Sequence, residues 1–168
     1  MSSGPTYKVK FRRRRESKTD YSKRLALLKS GKPRLTVRKS NNSTICEVVS
    51  YNPKGDETNA YFTSTVLKKM GWKNHCGNTP SSYLTGYACA KKAIKAGVKE
   101  AVLDIGLISP IHGSRIFAAL KGAIDAGLKI PAEEKVFPAE ERINAKIISD
   151  EANNNFEEIK KKIDKEFE

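Results

Sequence analysis

A chain of 168 residues is long enough for one domain with a real core plus extensions, and its formal charge of +13 is far from neutral. No stretch approaches the ~20 consecutive apolar residues that cross a bilayer, and no apolar run follows the N-terminal cations, so neither a membrane-spanning segment nor a secretory leader is expected. Cys46, Cys76 and Cys89 are odd in number and form no CxxC pair, as expected of small buried thiols in a reducing cytosol; His75 beside Cys76 has no further ligands at zinc spacing.

The charge is concentrated at one end. Residues 1–39 hold 14 Lys or Arg against Glu16 and Asp20, a local balance of +12, which leaves +1 for the rest of the chain. A charge so lopsided calls for a polyanion, which could be RNA, DNA or an anionic membrane; nucleic acid, and no membrane, is the expected partner. The densest part of the charge is Lys8, Lys10, Arg12, Arg13, Arg14 and Arg15, with Phe11 among them. Residues 1–18 show no hydrophobic periodicity and are predicted to be an extended arm without a core. Phe11 suits stacking on a base or insertion into a protein groove. A mitochondrial leader is also basic, but patterned structure begins by residue 33, so the arm is expected to belong to the working protein.

Thr19-Asp20 offers a cap for a helix over residues 21–30, stopped by Gly31 and Pro33. Tyr21, Leu25 and Leu28 share one face, predicted to dock, which leaves Lys23 and Arg24 for phosphates. Residues 33–39 alternate, with Leu35 and Val37 on one side and Arg34, Thr36 and Arg38 on the other. Two more strand-like runs, 44–51 and 58–65, follow turns at Asn41-Asn42 and at residues 52–56. Together they predict an antiparallel meander whose outer face carries Arg34, Arg38 and Lys39. Residues 66–78 are irregular. Thr79-Pro80 should open a helix reaching Ala96, with Leu84, Tyr87, Ala88 and Ile94 as its stripe and Gly97 at its end. Residues 100–105 read as a buried strand, 114–126 as a helix with Phe117, Leu120 and Ile124 inward, and 128–130 as another short strand. That unit implies a parallel, right-handed crossover. PAEERI, from Pro138, reads as one more helical turn. Phe156, Ile159, Ile163 and Phe167 make residues 153–168 an amphipathic helix that needs a surface to lie on.

Three places invite an enzymatic reading. Asp104, on a buried strand beside a mixed sheet, is where a ribonuclease-H-like nuclease holds Mg²⁺, but that chemistry needs several converging carboxylates, and Glu47, Asp56 and Asp125 stand at no telling spacing. The loop from Gly106 to Arg115 follows a strand and opens a helix, yet it lacks the lysine and glycine spacing of a nucleoside-triphosphate loop. What remains there is Ser114 and Arg115 at a helix N-terminus, able to hold one phosphate or simply to cap. His112 has no nucleophile beside it. No catalytic residue, metal or cofactor is therefore expected. The basic arm, continued by cations on a helix and a strand with Tyr7, Phe11 and Tyr21 interleaved, is the stronger signal, and without any DNA-groove motif it suits structured RNA.

The segments YKVKFRRRRESKTDYSKRLALLKSGKPRLTVRKSNN, NTPSSYLTGYACAKKAIKAGV, EAVLDIGL, GSRIFAALKGAIDAGLKIP and PAEERI closely resemble the large-subunit ribosomal protein eighteen family, across residues 7–148. These are the 5S rRNA-binding proteins of the ribosome's central protuberance; the eukaryotic members run much longer, so this length points to the archaeal type. The resemblance implies a non-enzymatic α/β protein with a mixed sheet of ribonuclease-H-like topology, an antiparallel meander plus a parallel βαβ unit. It implies 5S rRNA, large-subunit rRNA and neighbouring large-subunit proteins as partners, in the cytoplasm. Carried over, the RNA-contacting residues are Lys8, Lys10, Phe11, Arg12, Arg13, Arg14, Arg15, Tyr21, Arg24, Arg34, Arg38, Lys39 and Asn41, with Ser114 and Arg115 in addition. The expected organisation is an arm over 1–20, a globular body over 21–148 and a C-terminal helix over 149–168. Ser81-Ser82 departs from the family's usual alanines, and the tail after Ser149 matches nothing, so its partner is either a neighbouring protein or its own domain. Two rival classes are a metal-dependent nuclease and a protein-interaction module whose basic arm is incidental.

Overall fold

The sheet begins with a strand buried on both faces along residues 34–37. In the computed structural model, which describes residues 4–167, Leu35 and Val37 of β1 (Arg34–Lys39) are fully buried on one face of a sheet. Met1, Ser2 and Ser3 of the expected arm, and Glu168 of the expected C-terminal helix, lie outside the described residues. β1 pairs antiparallel with β2 (Thr44–Ser50), and β2 with β3 (Glu57–Thr63), across a register irregularity at Val48 and Val49. The turns are polar: Ser40 N–H donates to the Ser43 carbonyl, and Asn52 Oδ1 accepts from Lys54 N–H. β4 (Val102–Asp104) lies parallel to β1, giving a mixed sheet in the order β3-β2-β1-β4.

The predicted strand at 128–130 is reduced to a single parallel bridge between Glu100 and Lys129. Lys129 N–H donates to the Lys99 carbonyl and Ala101 N–H to the Lys129 carbonyl. The next rung of that ladder needs an N–H at residue 131, which is proline and has none. The third predicted strand also ends early, because residues 64–69 turn into α3 (Ser64–Lys69).

The inner face is covered by α4 (Thr79–Lys95), which packs against α5 (Arg115–Asp125). The cap of α4 is Asn78 rather than Thr79, its side chain accepting from Ser81 N–H. Two glycines set the approach of α4 and α5: a Cβ on Gly86 would strike the Ala119 carbonyl, and one on Gly122 the Tyr83 carbonyl. Ile94, expected in the stripe, is 38% exposed at the end of α4. After the predicted turn, α6 (Glu140–Ile143), the chain ends in α7 (Asp150–Phe167). Its amphipathic stripe lies on this molecule's own body. Phe156 packs on Tyr83 with ring centres 5.5 Å apart, Asn155 Nδ2 donates to the Gly71 carbonyl, and Phe167 meets Phe62 edge-on. Tyr87 Oη donates to Asp164 at 2.6 Å. Cys46, Cys76 and Cys89 are buried free thiols, and burial pushes Cys89 up to about 12.

Candidate nucleic-acid interface

The outer face of the sheet has no covering layer of packed helices. Above it lie the arm and α2 (Tyr21–Leu28), and between them and the sheet is a cavity of about 840 Å³.

Residues 4–18 are exposed throughout, so Lys8, Lys10 and the four arginines project into solvent. The arm departs from the predicted extended form in one place, where Arg12–Arg15 form one helical turn, α1. Three contacts fold it back. Phe11 packs against Tyr21 with ring centres 5.6 Å apart, Arg13 Nε donates to Thr19 Oγ1, and Lys18 N–H donates to the Arg13 carbonyl. Even so, Phe11 stays 75% exposed, with most of its ring available for stacking.

α2 begins at Asp20, whose carboxylate accepts from Ser22 and Lys23 N–H. It docks by only part of the predicted stripe, at Leu28. Leu25 is 57% exposed, while Arg24, Leu27 and Leu28 face the sheet and are half-buried. The helix is rotated because Arg24 reaches down to Asp56 in the turn between β2 and β3, at 2.7 Å.

The largest correction concerns Arg34. It does lie on the outer side of β1, but it is 3% exposed and presents no free cation. Its Nη2 donates to Asp56 at 2.6 Å and its Nη1 to Asp104 at 3.1 Å. Asp104 is further engaged by Arg38, at both its carboxylate and its carbonyl, and by Gly106 N–H. Arg38 remains about half exposed, with its guanidinium held over the Gly106 loop. Partial burial pulls the Asp56 carboxyl up, but the hydrogen bonds and charges of Arg24 and then Arg34 outweigh it and hold it below the ordinary carboxylate value. Asp104 thus lines the floor of the cavity beneath α2, with Glu47 and Asp56 on the same lining, but it is 8% exposed and paired with two arginines, and no group of three or more potential ligands for a metal gathers among the described residues.

Lys39 and Asn41, at the end of β1, continue the half-buried and exposed surface toward the Ser40–Ser43 turn. Arg115 ties that turn to the loop before α4: its guanidinium donates to the carbonyls of Ser40 and Gly77. Ser114 stands at the cap position of α5 without making a side-chain cap bond, and its Oγ is buried with no partner. Sequence reasoning missed Asp56 as part of this surface. The available signal was a carboxylate in the turn after an outward-facing basic strand, but its pairing with Arg24 and Arg34 spans 32 and 22 residues.

A family model described as "Ribosomal large subunit proteins 60S L5, and 50S L18" matches residues 5–101 and 95–133. The Large ribosomal subunit protein uL18 of Methanothermobacter thermautotrophicus is 48% identical over the whole of this chain and 88% of its own length. The chain belongs to this ribosomal family. As a member it is a structural constituent of the large subunit of the cytoplasmic ribosome, it serves translation, and it is not an enzyme. In the structure the cations of the arm stand in solvent, and the one buried carboxylate of the sheet, Asp104, is committed to arginines.

Proposed function

We propose that this protein binds 5S rRNA and helps attach it to the large-subunit rRNA of the central protuberance, beside neighbouring large-subunit proteins. The observation that carries the reading is the arm: six cations between residues 8 and 15, all exposed, with Tyr7 and Phe11 exposed among them. Cations at this density release counterions from an RNA backbone, and exposed rings offer bases a stacking surface. Residues 1–20 act as the arm and 21–148 as the body that orients it, with Tyr21, Arg24, Arg38, Lys39 and Asn41 extending the contact. Arg34 supports this surface from beneath rather than touching phosphate. Helix α7 belongs with the body, since its apolar stripe is already covered by α4.

The test is a salt titration of binding to 5S rRNA and to an unrelated RNA of equal length, with footprinting at the tightest salt. The expected result is a preference for 5S rRNA and a steep log–log slope, near 0.7–0.9 for each of roughly six phosphates neutralised. Equal affinity for both RNAs across the titration overturns the assignment to 5S rRNA.

A further inference from the structure

Helix α2 carries no buried side chain, yet it has a defined seat above the sheet. Leu27 and Leu28 are only half-buried, and among the described residues a single side-chain hydrogen bond leaves the helix for another element, from Arg24 to Asp56. Asp56 is itself held from below by Arg34, and Arg34 by Asp104. A continuous chain of charge-assisted bonds therefore runs from β4 through β1 and the β2–β3 turn to a surface helix.

A carboxylate on a surface that meets phosphate opposes binding on charge alone. Asp56 makes sense there if it contributes more by fixing geometry than it loses by repulsion. After pairing, the Arg24 side chain keeps 36% of its exposure, and a guanidinium has five N–H donors, so one bond to Asp56 leaves others for a phosphate. Lys23, its neighbour on the helix, is exposed at the edge of the cavity. Without the latch both cations would have to be ordered at the moment of contact, at a cost in affinity.

We propose that Asp56 is a positioning residue for RNA binding, latching α2 through Arg24 so that Lys23 and Arg24 meet the RNA already in place. This rests on the RNA-binding reading above. The experiment uses the full chain, unaltered and as Asp56→Asn, Asp56→Glu and Arg24→Gln, with two readouts: amide exchange of the free protein, and 5S rRNA affinity against salt. Asp56→Asn should speed exchange in α2 while α4 and α5 stay protected. It should also weaken 5S rRNA binding about tenfold at an unchanged salt slope, because every cation is still present. Asp56→Glu should restore most of both. Arg24→Gln leaves the pairs of Arg34 intact, so it breaks the latch without disturbing the buried network; it should speed α2 exchange equally and lower the slope by about 0.7–0.9. Unchanged α2 exchange in Asp56→Asn overturns the latch, and so does binding as tight as, or tighter than, the unaltered protein, which charge alone demands. Absence of any 5S rRNA preference in the unaltered protein would defeat the proposed function instead, and the exchange readout would still decide the latch.

Discussion

The two faces of the sheet are held by different physics. On the inner face, α4 and α5 approach so closely that Gly86 and Gly122 have no room for a Cβ, and α7 seals the far side of α4 with Phe156, Ile159 and Ile163. On the outer face, α2 and the arm bury nothing fully; a cavity lies beneath them, and arginines and aspartates do the joining. One face makes the body rigid and the other presents charge from that rigid floor. The difference also separates residues of one type. Arg13 and Arg34 are chemically identical, yet one stands in solvent and the other is closed between two carboxylates.

The sharpest way to break this contrast is to truncate those two arginines. Arg34→Ala leaves Asp56 to Arg24 alone and the buried Asp104 to Arg38 and Gly106 N–H, and should cost about 3 kcal/mol in urea unfolding, the low end of what removal of one member of a buried ion pair costs. Arg13→Ala should stay within about 0.5 kcal/mol, the usual range for an exposed site, while lowering RNA affinity and its salt slope. If the two variants lose stability alike, the outer face is not divided into a buried support and a free arm.

Next in size is the inner face. Gly86→Ala pushes a methyl into the Ala119 carbonyl, and since that obstacle is backbone, α4 and α5 must part. Overpacking of this kind should cost about 1–3 kcal/mol, read as a lower midpoint in thermal unfolding. The salt slope of RNA binding should not change, because no cation has moved.

The same contrast governs what could be read from the sequence. Leu35 and Val37 announced their strand because alternation is a local property, and α4, α5 and α7 announced themselves by the spacing of their apolar residues. Alternation also put Arg34 on the correct side of β1, but whether that side was open depended on Asp104, 70 residues away. The face by which α2 docks was partly misread for a related reason: Leu25 has the right spacing, but the tertiary bond of Arg24 to Asp56 sets the rotation. The strand at 128–130 failed on a local feature, Pro131, whose missing N–H removes the next rung of the parallel ladder. The arm was legible in composition; its one helical turn was not, because Phe11 and Arg13 close it through Tyr21 and Thr19.

A smaller effect separates the faces by pH. Burial first, and then the hydrogen bond and charge of Asp125, raise Tyr83 above its ordinary value of 10; burial and then Asp164 do the same for Tyr87. A raised folded value means that the stabilisation is complete below about pH 10 and drains as the pH climbs beyond it. Asp164 behaves oppositely. Burial pulls it up, but hydrogen bonds from Tyr87 and Lys91 and the charges of Lys91 and Lys160 hold it low, so its contribution is lost as the pH falls through its depressed value. Asp56 follows the same sign on the outer face. Amide exchange followed against pH should therefore show α7 loosening at both extremes and α2 loosening in acid alone. Loosening of α2 in alkali ahead of α7 would contradict the separation.

The smallest effect is expected at Ser114. A cap serine replaced by alanine usually costs about 0.5–2 kcal/mol, because a bond to a helix N–H is lost. Here there is no such bond to lose, and the buried hydroxyl has no partner at all. Removing a buried polar atom that is already unsatisfied relieves a desolvation penalty, so Ser114→Ala should leave urea stability unchanged or raise it by up to about 1 kcal/mol. The same variant probes the boundary between the faces, since Arg115 beside it already spends its guanidinium on the carbonyls of Ser40 and Gly77. Ser114 Oγ is uncharged and buried, so Ser114→Ala should leave the salt slope of 5S rRNA binding unchanged. A stability loss above 1 kcal/mol would restore the capping role. A weaker affinity for 5S rRNA at unchanged stability would instead bring Ser114 into the RNA-binding surface and extend that surface past the end of β1.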